Sequence, residues 1–406
     1  MPRAFLVLLI LTNSVRSADW PRFLGPDSNG HSMEEGLRRD WPPDGPPKRW
    51  EISTGSGFAG PAVAQGRLVL FHRRKDEEVL DCLDAKTGKN LWRFTAPTGY
   101  VDDFDFDDGP RAVPAISDGH VFALGAEGRL ICCELATGKL LWQRELAKDY
   151  PFRKGYFGVG VSPLVENDLV VVNVGSRDAG VVAFDRRTGR ERWRNGRDAA
   201  SYSTPLAATI GSRRCLVFLT RQGLLVLDAQ TGDTIHQRPF RARIDASVNA
   251  ASPLVADGRV FLTASYGVGA LLLDADGWRE VWKGDALECH YNTPVKVNNH
   301  LFGSHGRQEA GASLRCVEWT TGTVAWEKEG FGCAWLIAVD GLLIAVRESG
   351  RVTLLEASPA AYREFGDFQA FDKPDRRNWA VRAAPAFADG ILYIRAPERL
   401  AAWKLK

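Results

Sequence analysis

The chain has 406 residues, of which 45% are apolar and 25% are charged, so it can bury the core of a globular fold. Its formal net charge is only +2, and no run of basic residues is longer than a triplet. A nucleic-acid groove requires a concentrated basic stripe, so the composition argues against a nucleic-acid partner.

The first predicted element is a signal peptide over residues 1–17. A positive residue precedes the apolar run Ala4–Leu11, and small residues lead to a cleavage site between Ser17 and Ala18. The run is too short to span a bilayer, and no later segment is long and apolar enough for a membrane helix. No cysteine follows it that could carry a lipid anchor. We therefore expect an exported protein, periplasmic or secreted, with no transmembrane segment.

Residues 18–46 form a predicted N-terminal lead-in, and a repeat with two sequence markers occupies the rest of the chain. The first marker is a head of the form Ser-Pro-apolar-apolar, in which Leu336 once replaces the proline. The prolines are Pro61, Pro114, Pro163, Pro205, Pro253, Pro294 and Pro385. The second is a tail of the form Asp-x-x-Thr-Gly-x-x-x-Trp. Its copies, including degenerate ones, are Leu83–Trp92, Cys133–Trp142, Phe184–Trp193, Leu227–His236, Leu273–Trp282, Val317–Trp326 and Leu355–Glu364.

A period of roughly 40 to 50 residues indicates a solenoid or a propeller. Each unit contains four short apolar runs separated by Asp-Gly and Thr-Gly turns, which is typical of a four-stranded propeller blade. There are eight heads but only seven tails, and the segment Pro47–Ser53 looks like a tail without a head. The sequence therefore predicts an all-β, eight-bladed β-propeller over residues 47–406. Its ring is closed by the N-terminal strand, which completes the last, C-terminal blade and leaves no open sheet edge.

The repeats resemble those of the pyrroloquinoline-quinone-like (PQQ-like) propeller superfamily, and the resemblance covers about residues 47–406. The superfamily includes quinone-dependent alcohol dehydrogenases and the outer-membrane protein assembly factor BamB, a non-enzymatic envelope protein. Eight plain blades and a signal peptide look more like the second. The resemblance thus implies a monomeric, exported scaffold that binds an envelope or secreted protein or a small ligand and has no catalysis of its own. The main alternative is a PQQ-dependent alcohol or polyol dehydrogenase that uses calcium in the central channel, and a further one is a protein that acts on a carbohydrate or another polymer.

The dehydrogenases of this superfamily hold calcium and quinone in the channel and place a disulfide between adjacent cysteines over the cofactor. Only Cys132 and Cys133 match any part of that arrangement. Both fall in columns of the repeat that are otherwise apolar, so we interpret them as buried strand residues. The sequence consequently predicts no cofactor, and PQQ and calcium belong to the alternative function.

Variable, aromatic and charged segments collect at one end of the predicted ring, where the fourth strand of each blade leads to the next blade. They are residues 100–111, 149–160, 287–292, 305–311 and 376–382. Such a rim over a channel is a candidate ligand or partner surface. Its candidate residues are Arg111, Tyr156, His290, Asn292, His305 and Trp379.

The same rim contains an acidic stretch in which Asp103, Asp105 and Asp107 are candidate calcium ligands. The stretch resembles the start of an EF-hand loop, but its glycine is displaced and Pro114 occupies the position of the closing glutamate. We therefore favour a solvated acidic loop over a metal site. No metal-ligand spacing joins the histidines, which are interpreted as surface or rim residues: His72, His120, His290, His300 and His305.

Overall fold

The computed structural model describes residues 18–42, 44–244, 247–372 and 380–406. Within these residues, eight antiparallel four-stranded sheets form an eight-bladed β-propeller, which confirms the predicted fold. The predicted signal peptide and Trp379 lie outside the described residues. No helix in the described ranges is long and apolar enough to cross a membrane.

The blades are numbered in chain order, and the last one contains both ends of the ring. Blade 1 contains β2 (Ala62–Ala64), β3 (Arg67–Arg74), β4 (Glu77–Asp84) and β5 (Asn90–Pro97). Blade 2 contains β6 (Ala115–Ser117), β7 (His120–Leu124), β8 (Arg129–Glu134) and β9 (Leu140–Glu145). Blade 3 contains β10 (Leu164–Glu166), β11 (Leu169–Ser176), β12 (Ala179–Asp185) and β13 (Glu191–Asn195). Blade 4 contains β14 (Leu206–Ile210), β15 (Arg213–Leu219), β16 (Gly223–Asp228) and β17 (Thr234–Pro239).

Blade 5 contains β18 (Leu254–Ala256), β19 (Arg259–Ala264), β20 (Gly269–Asp274) and β21 (Arg279–Gly284). Blade 6 contains β22 (Val295–Val297), β23 (His300–His305), β24 (Ser313–Glu318) and β25 (Val324–Lys328). Blade 7 contains β26 (Ala334–Val339), β27 (Leu342–Arg347), β28 (Arg351–Glu356) and β29 (Glu364–Gln369). Blade 8 contains β30 (Ala386–Ala388), β31 (Ile391–Ala396), β32 (Arg399–Lys404) and β1 (Lys48–Ser53). The short helices are α1 (Leu146–Asp149) and a 3₁₀ turn (Gln308–Ala310).

The two central strands of each blade are apolar on both faces because neighbouring blades cover both faces. In β8, Cys132 lies in the core between blades 2 and 3, and Cys133 lies in the core between blades 1 and 2. Both are buried, and both are free thiols. The interpretation of this pair as strand residues is therefore confirmed, since alternate side chains of a strand point to opposite faces.

The repeat tail has a physical explanation, which the first blades illustrate. The Asp84 carboxylate accepts hydrogen bonds from the Thr87 amide and hydroxyl, at 2.8 and 2.7 Å, and so holds the turn. The indole of Trp92 packs on Gly138, in the turn of the next blade, where a Cβ atom would lie 2.5 Å from the ring. Its Nε1 donates to the Leu135 carbonyl at 2.8 Å. A complete tail thus stabilises its own turn and contacts the next blade.

The ring closes as predicted, because β1 pairs with β32 as the fourth strand of blade 8. Trp50 packs on Gly88 in the turn of blade 1, and its Nε1 donates to the Ala85 carbonyl at 3.1 Å. Trp92, Trp142 and Trp282 have the same arrangement, so the predicted position of Trp50 is confirmed. Arg395 in β31 is buried nearby and donates to three carbonyls of the blade 1 region, among them that of Ala59 at 2.6 Å.

The lead-in lies across the central channel of the ring. The first strands of neighbouring blades contact one another and line the central channel. Arg22 Nη1 donates to the Val165 carbonyl of blade 3 at 3.2 Å, whereas the Gly30 carbonyl accepts from the Ala338 amide of blade 7 at 2.8 Å. Blades 3 and 7 face each other across an eight-bladed ring, so this segment crosses the channel. Trp20 at its start is only 1% exposed.

The interpretation of the histidines as surface or rim residues is wrong for His72, which is fully buried in β3. Its Nε2 donates to Asp81 at 2.9 Å and its Nδ1 accepts from the Gly55 amide at 2.9 Å. Arg93 also donates to this carboxylate, at 2.7 Å. Burial raises the pKa of Asp81, but the hydrogen bonds from His72 and Arg93 outweigh burial and lower that pKa to about 2. The histidine can be buried because Asp81 on the neighbouring strand accepts a hydrogen bond from its ring.

Candidate functional site

A cavity of about 410 Å³ lies over one end of the channel, where the fourth strand of each blade leads to the next blade; we call this the loop end. Every blade contributes to the cavity. We call it the axial pocket. One lining residue from each blade, in order from blade 1 to blade 8, gives the set Phe58, Val113, Ser162, Thr204, Ala250, Tyr291, Trp335 and Ala384. A site on the symmetry axis of the ring is thus held by eight rigid sheets.

The lead-in contributes to the same pocket. Phe23 lines the cavity and makes an edge-to-face contact with Trp335, with 5.6 Å between ring centroids. Its neighbour Leu24 is buried in a cluster with Trp335 and Ala384. The segment that crosses the channel therefore also supplies an aromatic wall of the pocket.

Aromatic rings form one side of the axial pocket and continue onto the surface. Phe104 lies 5.4 Å from Phe157 and 5.7 Å from Tyr156, measured between ring centroids, and Phe157 lies 5.5 Å from Tyr202. Phe104 is 52% exposed and Phe106 is 39% exposed. Contiguous exposed apolar groups of this kind mark binding surfaces on soluble proteins.

The three arginines of the pocket are each paired with a carboxylate. Arg111 forms an ion pair with Asp102. Arg382 lies 3.3 Å from Glu348, and Arg307 lies 3.3 Å from Glu309. The guanidinium groups also lie over aromatic rings, with Arg111 5.4 Å from the Phe157 centroid and Arg307 4.5 Å from the Tyr266 centroid. These pairs balance the charge of the pocket, which therefore suits an apolar or aromatic group.

The candidate rim residue His290 lines the pocket, and both of its ring nitrogens form hydrogen bonds. Its Nδ1 donates to Gln308 Oε1 at 2.8 Å, so its Nε2 accepts from the Tyr266 hydroxyl at 3.0 Å. Burial lowers the pKa of His290, which is therefore held as the neutral imidazole at neutral pH. In this arrangement it orients its neighbours and offers no free base.

The structure brings three of the six candidate rim residues to the axial pocket, namely Arg111, Tyr156 and His290. Asn292 is only 2% exposed, is not among the lining residues, and neither of its amide atoms has a hydrogen-bond partner within the described residues. His305 lies at the end of β23 and accepts from the Glu288 amide at 3.1 Å, away from the pocket. Trp379 lies outside the described residues.

The acidic loop uses several carboxylates to hold its own backbone. Asp102 accepts from the Phe104 amide at 2.8 Å, and Asp107 accepts from the Gly109 amide at 2.7 Å. Asp103 instead forms an ion pair with Lys154 at 2.6 Å. In the part of the chain that the structure describes, no group of three histidine, cysteine, aspartate or glutamate side chains is arranged to hold a metal ion.

Sequence reasoning missed Phe23, Phe58, Tyr202, Tyr291 and Trp335, although the repeat contains a signal for three of them. The residue three positions before each head proline lines the axial pocket in all seven blades that have this proline. The seven are Phe58, Arg111, Gly160, Tyr202, Ala250, Tyr291 and Arg382. This column, which we call the axial column, contains five residue types in its seven positions, in contrast to the repetitive tails.

The fold defines the class of protein as an eight-bladed propeller built from PQQ-like repeats. The family model described as "Outer membrane protein assembly factor BamB" matches residues 75–328, more than half of the chain, and the chain belongs to that family.

Individual relatives fall into two groups. An outer membrane protein assembly factor BamB from Burkholderia pseudomallei is 28% identical over 195 residues, which are 47% of this chain and 45% of the relative. The dehydrogenase subunit of a quinone alcohol dehydrogenase from Komagataeibacter europaeus is 28% identical over 156 residues, which are 36% of this chain and 20% of the relative. The chain thus spans less than half the length of these two curated relatives.

Solved structures from both groups share the fold. BamB from Moraxella catarrhalis has a TM-score of 0.65 at 15% identity, with 89% of this chain and 98% of that chain covered. A quinohemoprotein alcohol dehydrogenase from Pseudomonas putida has a TM-score of 0.69 at 13% identity, with 96% of this chain and 80% of that chain covered. At these identities the likeness concerns the fold alone.

Proposed function

We propose that this protein is an extracytoplasmic binding scaffold that recognises a segment of another protein, and that an aromatic or aliphatic side chain of that segment occupies the axial pocket. The observation that carries the proposal is the aromatic, charge-balanced pocket on the propeller axis, whose rings Phe104, Phe106 and Tyr156 extend onto the surface. Aromatic and arginine side chains around a desolvated pocket are typical of protein interfaces.

The polar groups of the pocket support binding rather than chemistry. Each arginine has a carboxylate partner, and both nitrogens of His290 are engaged. A general base or nucleophile requires an unengaged group directed at the substrate. Membership of the BamB family supports the proposed location, because the name of that family connects its members with the assembly of outer membrane proteins.

A selection from a displayed library of random linear peptides tests this function. We expect the wild-type protein to enrich peptides that share an aromatic or aliphatic anchor, and the double variant Phe104→Ser/Phe106→Ser to lose that enrichment. The matched control is Leu91→Ser/Leu140→Ser, which removes two exposed apolar side chains from the outer strands β5 and β9. Equal enrichment by all three proteins, or by none, would contradict the proposal.

The quinone-dependent dehydrogenase is the second candidate, and the similarity to quinone alcohol dehydrogenases favours it. The residues present do not fit the cofactor arrangement of those enzymes, because Cys132 and Cys133 face opposite interblade cores rather than a cavity. The measurement that separates the two functions adds calcium and pyrroloquinoline quinone to the purified protein. Saturable quenching of tryptophan fluorescence together with dye-linked oxidation of an alcohol would establish the dehydrogenase and overturn the scaffold.

A further inference from the structure

A second cavity, of about 970 Å³, opens beside the axial pocket at the loop end of blades 3 and 4. We call it the basic cleft. It shares three lining residues with the axial pocket, Tyr156, Tyr202 and Val248. An extended ligand anchored in the axial pocket can therefore continue over these residues into the basic cleft.

Five basic side chains line the cleft, and Asp103 is the one carboxylate among its described lining residues. The five are Arg153, Lys154, Arg177, Arg197 and Arg221. Asp103 is already paired with Lys154. By contrast, Arg153, Arg177 and Arg197 are exposed, and within the described residues no ion pair or side-chain hydrogen bond engages them. The charge is concentrated here, since the whole chain has a net charge of only +2.

The contrast with the axial pocket indicates what the cleft binds. Each described arginine of the axial pocket has a carboxylate partner, whereas three arginines of the cleft have none among the described residues. An arginine side chain presents a planar fork of donors that matches a carboxylate, and like charges held close together favour an anionic ligand. The cleft is thus complementary to a chain that carries several carboxylates.

The neighbouring pocket indicates the kind of chain. A polysaccharide would bring many hydroxyl groups that need hydrogen-bond partners, but the arginines and His290 of the axial pocket are already engaged with other protein groups. A polypeptide can place an apolar side chain in the pocket and acidic side chains beyond it. We infer that the basic cleft binds a stretch of Asp and Glu side chains in an extended protein segment whose apolar anchor occupies the axial pocket. This inference rests on the proposed function.

Two fluorescein-labelled peptides test it by fluorescence anisotropy. One contains a tryptophan followed by a run of glutamates, and its twin has glutamine in place of every glutamate. We expect the wild type to bind the glutamate peptide about tenfold more tightly at low ionic strength, equivalent to about 1.4 kcal/mol, and salt to reduce the preference. The triple variant Arg153→Gln/Arg177→Gln/Arg197→Gln should lose the preference and keep its affinity for the glutamine peptide.

The matched control is the triple variant Arg187→Gln/Arg190→Gln/Arg279→Gln. It removes three exposed arginines near turns between the third and fourth strands, at the opposite end of the ring, and should keep the preference. Equal binding of both peptides by the wild type would overturn the cleft inference and leave the axial pocket proposal intact. Binding of neither peptide would also overturn it, and the library selection would then decide the pocket proposal separately. Binding of polygalacturonate without binding of the glutamate peptide would assign the cleft to an anionic glycan and overturn the protein assignment.

Discussion

The closure of the ring makes a quantitative prediction about Trp50, whose strand is distant in sequence from the rest of its blade. The Trp50 side chain is buried against Gly88, and its Nε1 donates to Ala85. Trp92 has the same arrangement one blade further on, and the two residues are 9% and 8% exposed. Replacing a buried tryptophan by alanine costs about 3–5 kcal/mol, of which about 1 kcal/mol is the lost hydrogen bond. Both alanine variants should therefore lose about the same free energy of unfolding.

Urea titrations followed by circular dichroism measure this loss. Trp50→Ala and Trp92→Ala should each lower the free energy of unfolding by about 3–5 kcal/mol. Trp50→Phe keeps an aromatic ring on Gly88 and removes the donor, so it should lose about 1–2 kcal/mol. If Trp50→Ala stayed within about 1 kcal/mol of the wild type while Trp92→Ala lost the full amount, the N-terminal strand would not stabilise the ring.

Three further predictions concern the cores between the blades, the buried carboxylate and the lead-in. Cys133→Leu should fold normally because most blades have an apolar residue there, and Cys132→Ala should cost about 1 kcal/mol; a large loss of ligand binding with the fold intact would contradict this. The pKa of Asp81 is about 2 in the folded chain and 3.8 ordinarily, so its contribution to stability is present above pH 4 and is lost as the pH falls from about 4 to 2. In urea titrations between pH 4 and pH 2, the Asp81→Asn variant should therefore lose about 2 kcal/mol less free energy of unfolding than the wild type does. The same pH dependence in both proteins would refute the assignment. Deleting residues 18–32 should lower the melting temperature and weaken peptide binding, because the deletion removes Trp20 from the core and Phe23 from the pocket; an unchanged melting temperature would contradict this.

Most of the fold could be predicted from the sequence because its determinants recur. The tail contains the aspartate that holds the turn, the turn glycine, and the tryptophan whose indole packs on the turn glycine of the next blade. Each of these is visible as a column of the repeat. The closure of the ring could be predicted because the repeat has eight heads but only seven tails, and the segment Pro47–Ser53 looks like the missing tail. The burial of His72 could not be predicted in this way, because its partner Asp81 belongs to one blade only and its pairing depends on the register between β3 and β4.

The site was less predictable than the fold. Arg111, Tyr156 and His290 were found because charged and aromatic residues stand out in loops of different lengths. Phe23 was missed because its position depends on the path of a non-repetitive segment across the channel, which no periodicity encodes. The basic cleft was missed for a related reason. Its arginines come from separate connections of blades 2 to 4, so no single stretch of sequence is strongly basic.

The structure separates the residues that build the ring from those that determine what it binds. The tail residues lie between blades and are repeated, whereas the axial column faces the pocket and contains five residue types in seven blades. A change in the axial column therefore alters the pocket without disturbing contacts between blades. A solved assembly factor and a solved quinone dehydrogenase share this fold, and a separation of this kind allows one fold to carry different sites. Within this family, function should therefore follow the residue three positions before each head proline more closely than it follows overall sequence identity.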